Sequence, residues 1–430
     1  MASPYRELFA APGTLAFSVA GFVARMPMSM TGIGIITMLS QSDGDYGLAG
    51  AVAAVFTLSM ALIGPRIARE VDRRGQGRVL LPAAGVSVAA LGALMLCAHY
   101  GAPAWTLFAS AAAAGCMPSM AAMVRARWSE LYRGSPRLHT AFSLESVVDE
   151  LTFMVGPALS VLLCTALFPA AGPLLAAVLL AVGVLMFVAQ RGTEPRTHPA
   201  DAAADTTSVL RSGTVRVLVL VLLAGGVIVG TVDVASVAFA EELGRPAAAG
   251  FVVASYAAGS ALSGLAFGLL TLRAAPSRLL LAGTVGTALT TLPLLVVDGL
   301  VALAAAVFAA GVFFAPTMIV VMGTIERTVP ASRLTEGMTW ATTGLTVGVA
   351  LGAAASGAAV DRFGTGGGFA VAVGGGALTL LAALLGQASL LRTAPAAEEG
   401  GDAGGETGGD AGGDAAPAAD ARQSCDARPS

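Results

Sequence analysis

The chain has 430 residues, 56% of them hydrophobic and 12% charged, with a mean hydropathy of +0.78. That balance excludes an ordinary soluble domain, in which about a quarter of the residues are charged. Residues 393–430 hold eight acids and two arginines, so the formal net charge of −3 describes the tail and the remainder carries +3.

Taken in chain order, apolar runs occupy 14–40, 47–66, 79–98, 104–124, 140–166 and 172–190, then 215–240, 248–271, 278–297, 300–325, 337–360 and 367–391. Crossing hydrocarbon takes about 20 apolar residues per helix. The runs are rich in Ala, Leu, Val and Gly and lack the roughly ten-residue alternation of membrane barrel strands. The sequence therefore predicts an all-α integral membrane protein with twelve transmembrane helices in two six-helix bundles, 1–190 and 215–392. The polar segment 191–214 reads as a connector between them, and 393–430 as a disordered, acidic, Gly/Ala-rich tail that cannot bury enough apolar surface to fold.

All 24 basic residues are arginines, and the loops after the even-numbered runs hold seventeen of them, against Arg245 and Arg362 on the other side. By the positive-inside rule those loops and both termini face the cytoplasm, which makes the plasma membrane the expected location. The first run, about 26 residues with Arg25 inside it, is too long for a signal sequence and reads as a retained helix. Cys97, Cys116, Cys164 and Cys425 show no metal or redox spacing. The three histidines, His99, His139 and His198, have no partner at ligand spacing.

The two halves echo each other. At a spacing of 200, Gly64 meets Gly264, Arg73 meets Arg273 and Arg78 meets Arg278; at 196, Arg137 meets Arg333, Ser143 meets Thr339 and Gly156 meets Gly352. An even number of spans separates the copies, so they enter the membrane in the same direction, a repeat arrangement of secondary transporters. The charged turn from Gly64 to Arg78, between runs two and three, carries Asp72, Arg73, Gly75 and Arg78. With this motif, residues 1–392 resemble the major facilitator superfamily, whose loop between helices two and three reads Gly-x-x-x-Asp-Arg-x-Gly followed by basic residues. Ala68 replaces the first Gly of that pattern, and the second copy has Leu272 for the acid and Ala275 for the Gly. An Asp there can sit near a helix N-terminus and accept charge-assisted hydrogen bonds from neighbouring arginines. The resemblance implies a one-sided latch that closes the cytoplasmic face in the outward-facing state. For Arg66, Arg69 and Arg74 the simpler reading is that they set topology.

Five charges fall inside the runs: Arg25 in run one, Glu145, Asp149 and Glu150 in run five, and Asp233 in run seven. Each costs about 2.5 to 3.5 kcal/mol at a helix centre, so such residues face the bundle interior and mark function. Glu145 and Asp149 are four apart and share a helix face, while Glu150 points about 100° away. Proton coupling, with Arg25 competing against a proton for Asp149 or Glu150, and a static ion pair bracing helices one and five are both open. Asp233 aligns with Ile33 in the first copy, so it breaks the symmetry; the resemblance makes run seven a cavity liner and Asp233 a substrate or proton ligand.

Gly156-Pro157 in run five resembles the core of a helix-five motif in proton-coupled exporters of the superfamily, where small residues permit close packing and Pro bends the helix. Pro27, Pro118 and Pro316 fall in runs one, four and ten. Trp105, Trp128 and Trp340 read as interfacial anchors near helix ends. The glycines at 364–368 and 374–376 lack the Gly-Lys-Ser/Thr of a phosphate loop. The expectation is a secondary active transporter working by alternating access, a proton-coupled exporter of small amphipathic or organic molecules; alternatives are a proton-coupled importer and a non-transporting membrane sensor or scaffold. Its partners would be a small-molecule substrate, protons and the bilayer, without nucleic acid, cofactor, metal or enzymatic activity, and it would work as a monomer.

Overall fold

Every backbone amide inside a bilayer must find its partner within the protein, and the Ala- and Leu-rich runs meet that demand as helices. The computed structural model describes residues 4–43, 46–196, 208–245, 248–270 and 274–391, and no strand occurs among them. The first half comprises α1 (Pro4–Leu8), α2 (Thr14–Asp43), α3 (Tyr46–Arg74), α4 (Gln76–His99), α5 (Ala104–Ala114), α6 (Met120–Tyr132), α7 (Arg137–Ala166) and α8 (Ala171–Ala189). The second comprises α9 (Gly213–Glu242), α10 (Ala249–Leu269), α11 (Pro276–Thr291), α12 (Leu300–Val312), α13 (Phe314–Thr328) and α14 (Leu334–Leu391). Met1–Thr393 forms one compact unit by its internal contacts. The acidic tail, His198, Leu272 and Arg273 lie outside the described residues.

Ten helical stretches are long and apolar enough to cross a membrane. The longest divides at Gly364, whose φ of 73° suits glycine alone, and α5 with α6 fills run four; together these fit the twelve expected passages. Runs four and ten are interrupted at matching places. Gly115–Ser119 separates α5 from α6 around Pro118, and Phe313 separates α12 from α13 just before Pro316. Pro27 and Pro157 instead stay inside unbroken helices.

Helix α3 differs from the sequence reading. It does not end with its apolar run but continues to Arg74, helped by the Glu70–Arg74 pair one turn apart, and only Gly75 separates it from α4. Gly75 has φ 89°, a conformation that side chains with Cβ resist. Helix α6 likewise runs on to Tyr132, so Arg125 and Arg127 are fully buried helix residues, not loop residues. Trp128, expected at the interface, is also fully buried, packed edge-on against Phe17 and stacked on Tyr132. Exposed Leu62, Phe251, Val301 and Leu385 give the perimeter the apolar face that lipid requires.

The repeat is visible in the packing between halves. Gly64 of α3 faces Thr339 of α14, while Gly264 of α10 accepts a hydrogen bond at its carbonyl from Ser143 of α7. Gly64 corresponds to Gly264 and Ser143 to Thr339, so the two contacts are one contact seen from opposite sides of a pseudo-twofold axis. Within the second half, α9 and the first arm of α14 meet backbone to backbone. A Cβ on Gly226 or Gly230 would lie 2.2 or 2.0 Å from the carbonyl oxygens of Leu345 or Val349, and one on Gly348 or Gly352 would lie 2.0 or 2.2 Å from those of Leu223 or Val227. This is the small-residue spacing that lets membrane helices close up.

Candidate functional site

The arginine-rich end is closed by contacts between the halves. Asp72, in the last turn of α3, accepts hydrogen bonds from the backbone amides of Thr335 (3.2 Å) and Glu336 (2.9 Å) at the start of α14. Those amides have no partner inside their own helix, and the helix dipole favours an anion there. Arg69, one turn earlier on α3, donates to both oxygens of the fully buried Glu336, at 3.1 and 2.6 Å. Ser208 and the Val209 amide, where the connector re-enters the described structure, reach the same carboxylate at 3.3 Å. A charged partner at the junction is Arg69, which the sequence reading gave to topology; Arg73 and Arg78 are exposed.

At the pseudo-equivalent corner the bonds among the described residues run to carbonyls. His139 and Thr140, the counterparts of Thr335 and Glu336, bond the carbonyls of Phe267 (2.9 Å) and Gly268 (3.1 Å). Tyr5 adds a bond to the Leu265 carbonyl at 2.8 Å. Beside this closed end, Arg127 anchors the start of the connector: it donates to Gln76, Thr193 and the carbonyls of Phe187 and Gln190, and its guanidinium lies 3.8 Å from the Phe187 ring centroid. Glu194 accepts from the Gly77 amide at 2.8 Å.

Deeper in the first half, four charges meet. Arg25 of α2 pairs with Glu145 and, at 2.9 Å, with Asp149, both on α7; Arg125 of α6 pairs with the other oxygen of Asp149. Trp128 donates its indole N–H to Glu145 at 2.9 Å. Two cations and two anions balance, and each of the four is at most 13% exposed. Such an assembly is held by mutual attraction in low dielectric and is costly to break by removing one member. Two donors of Arg125, Nε and Nη1, have no partner among the described residues.

Glu150 points away from this group, as the 100° step along the helix demands. It crosses to the second half, where Ser260 of α10 donates to it at 2.7 Å. Asp233 of α9 and Tyr256 of α10 lie within electrostatic reach of it. Asp233 has an exposed side chain. Gly156, one turn and a half further along α7, lets α2 approach: a Cβ there would fall 1.9 Å from Ser29 Oγ, whose hydroxyl bonds the Thr152 carbonyl at 2.9 Å. Pro157 follows it at a half-buried position. A separate cleft where α2, α3 and α14 meet is lined by Met28, Met60 and Met117 on one side and Thr339, Thr342 and Thr346 on the other.

The sequence profile of the Major Facilitator Superfamily matches residues 17–244 and 219–418, nearly the whole chain. The chain belongs to the major facilitator superfamily. Solved structures of the superfamily superpose on it at low identity. The human organic anion transporter MFSD10 gives a TM-score of 0.67 at 13% identity, covering 89% of this chain and all of its own. A bacterial homologue of the iron transporter ferroportin in the outward-facing state gives 0.65 at 13%, covering 89% and 99%. The fucose:proton symporter of E. coli gives 0.67 at 14%, covering 88% and 99%. No curated protein matches the chain. At such identities the superfamily likeness establishes the fold and a multi-pass membrane protein of a transporter family.

Sequence reasoning put Glu145 and Asp149 on one helix face with Glu150 turned away, and offered Asp149 or Glu150 as the partner of Arg25; in the structure Arg25 reaches Asp149 and, unforeseen, Glu145. The sequence reading missed Arg125, Trp128, Arg69 and Glu336. A signal existed for Glu336, the lone acid in the first turn of α14 beside Arg327 and Arg333. For Arg125 the signal was its place only one residue beyond run four.

Proposed function

We propose that the chain is a proton-coupled secondary transporter that exports small amphipathic or organic molecules by alternating access. It works as a monomer in the plasma membrane, with the arginine-rich end and both termini in the cytoplasm. The observation that carries this reading is the difference between two sets of acids on one helix. Glu145 and Asp149 are answered by arginines, whereas Glu150, one residue on, bonds, among the described residues, the neutral Ser260 of the opposite half. A balanced quartet braces α2, α6 and α7; a carboxylate without a counter-cation at a moving interface is suited to take up and release a proton.

Alternating access draws support from the closure of the arginine-rich end. Asp72, Arg69 and Glu336 join the halves through charge-assisted bonds that a rocking motion must break. With the arginines inside, the closed end is the cytoplasmic one and the state is outward-facing, the state named for the ferroportin homologue. The solved neighbours are named for an organic anion, iron and fucose with protons, so the substrate must be read from side chains and not from the fold. The export direction is drawn from the resemblance of Gly156-Pro157 to the core of the helix-five motif of proton-coupled exporters in the superfamily.

Proton movement accompanying solute flux, measured with a trapped pH dye in liposomes, tests the reading against organic compounds whose toxicity the expressed protein relieves. Glu150→Gln should abolish solute-dependent proton movement. Asp149→Asn should lower it together with folded yield, since Arg125 loses its one carboxylate. Unchanged coupling in Glu150→Gln would remove the proton-carrier role.

A further inference from the structure

The segment before α2 crosses from one half to the other. It is fixed to the first half: the Leu8 side chain is fully buried, the Leu8 carbonyl accepts from the Tyr132 hydroxyl at 2.8 Å, and Glu7 pairs with Arg137 at 3.3 Å. Phe9 packs edge-on against Trp128 at a centroid distance of 6.1 Å. One turn before Leu8, the Tyr5 hydroxyl reaches out of that half. It donates to the Leu265 carbonyl of α10 at 2.8 Å and lies 3.2 Å from Ser143 Oγ of α7, which itself donates to the Gly264 carbonyl. Gly268 makes room for it, since a Cβ there would fall 2.6 Å from Tyr5 Oη.

The second half places a segment of its own in the same way. At the spacing of 200, Leu8-Phe9 meets Ser208-Val209, and both pairs precede the first helix of their half. Tyr5 reaches Ser143 near the start of α7, as Ser208 and Val209 reach Glu336 at the start of α14. The corners differ in what joins the halves. Beyond Ser208 and Val209, Arg69 of α3 grips the Glu336 carboxylate across the junction. At the other corner the bonds to α10 run from Tyr5, His139 and Thr140 to backbone carbonyls, and of these three Tyr5 alone stands outside the membrane-spanning helices. When the arginine-rich end opens, α10 draws away from α7 and Tyr5 cannot follow both. Its segment holds to the first half by a buried side chain, an ion pair and a backbone hydrogen bond, so the bond to Leu265 is the one that breaks. We propose that residues 4–9 form a strap, anchored on the first half and tipped on the second by the Tyr5 hydroxyl, that sets how often the arginine-rich end opens. The inference rests on the alternating-access reading above and names a part of the chain that regulates it. One neutral hydrogen bond shifts a two-state population about fivefold.

The test uses the full-length protein in proteoliposomes, with Cys97, Cys116, Cys164 and Cys425 replaced by Ala and Val147→Cys as reporter. Val147 is buried and faces Gly264 across the same corner. The quantity read is the rate at which a membrane-impermeant maleimide, added on the arginine-rich side, labels that cysteine. Tyr5→Phe, which keeps the ring and removes the hydroxyl, should label about fivefold faster than the parent. Deletion of residues 2–7, which keeps the buried Leu8, should label at least as fast as Tyr5→Phe. Tyr100→Phe, exposed at the opposite end of α4, should label at the parental rate. Parental rates in both Tyr5→Phe and the deletion, with Asp72→Asn faster, would overturn the strap and leave alternating access standing. Parental rates in all three would overturn both. Faster labelling in the deletion alone would overturn the Tyr5 hydroxyl as the tip of the strap.

Discussion

Asp72 shows how one side chain can bias a whole molecule. Its carboxylate meets two orphan amides of α14, and replacing it by Asn removes the charge while keeping the shape. Loss of a charged cap costs about 1 kcal/mol, which shifts a two-state balance about fivefold. We expect Asp72→Asn, in a background without cysteines and with Thr339→Cys as reporter, to speed maleimide labelling from the arginine-rich side; labelling at the parental rate would rule the cap out as a latch. Arg125 makes the opposite kind of contribution. Its removal leaves Arg25 alone to answer both Glu145 and Asp149, an uncompensated buried negative charge, so Arg125→Met should lower stability by roughly 3 kcal/mol or more, read as a lower unfolding temperature in detergent. Among these residues, Arg25, Asp149 and Asp72 were legible because a charge in or beside an apolar run is conspicuous. Arg125 and Glu336 were not, because each lies where helix and loop cannot be told apart by hydropathy: α6 and α14 carry helical structure past the membrane-like composition.

At the scale of elements, close approach is the organising device. The carbonyls of α9 occupy the space that side chains at Gly348 and Gly352 would need, at 2.0 and 2.2 Å, so no rotamer can relieve a substitution there. Gly348→Leu should therefore destabilise the protein by about 3 kcal/mol or more, above the usual range for overpacking because backbone must move. Gly323→Leu, where a Cβ meets nothing within 4 Å, should leave thermal unfolding unchanged. Equal effects from the two would show that helix propensity and not packing decides. The apolar runs foretold where these helices lie but not which of their glycines face a partner, because the Gly-rich composition spreads candidates around each helix. Breaks in runs four and ten were also illegible as breaks; Pro118 and Pro316 marked the places without telling an interruption from a bend.

For the whole molecule, the pairing of Gly64 with Thr339 and of Gly264 with Ser143 shows that the duplicated sequence builds a duplicated interface. The fold was legible because repeat, span count and charge asymmetry agree, three signals that act at different levels. The functional asymmetry was only half legible: Leu272 announced the missing acid, but not that His139 and Thr140 would bond carbonyls at the matching corner. A thiol cross-linker joining His139→Cys to Phe267→Cys should hold the arginine-rich end shut and stop solute flux until reduced. Flux unaffected by a verified cross-link would contradict the rocking of the halves.

The glycine seam has a mechanical meaning. Helices whose backbones touch along three turns cannot slide past each other without lifting apart, so α9 and the first arm of α14 form a single lever. One end of that lever is Glu336, gripped by Arg69 and tethered to the connector; farther along it sits Asp233. Whatever loosens the grip must carry the carboxylate with it.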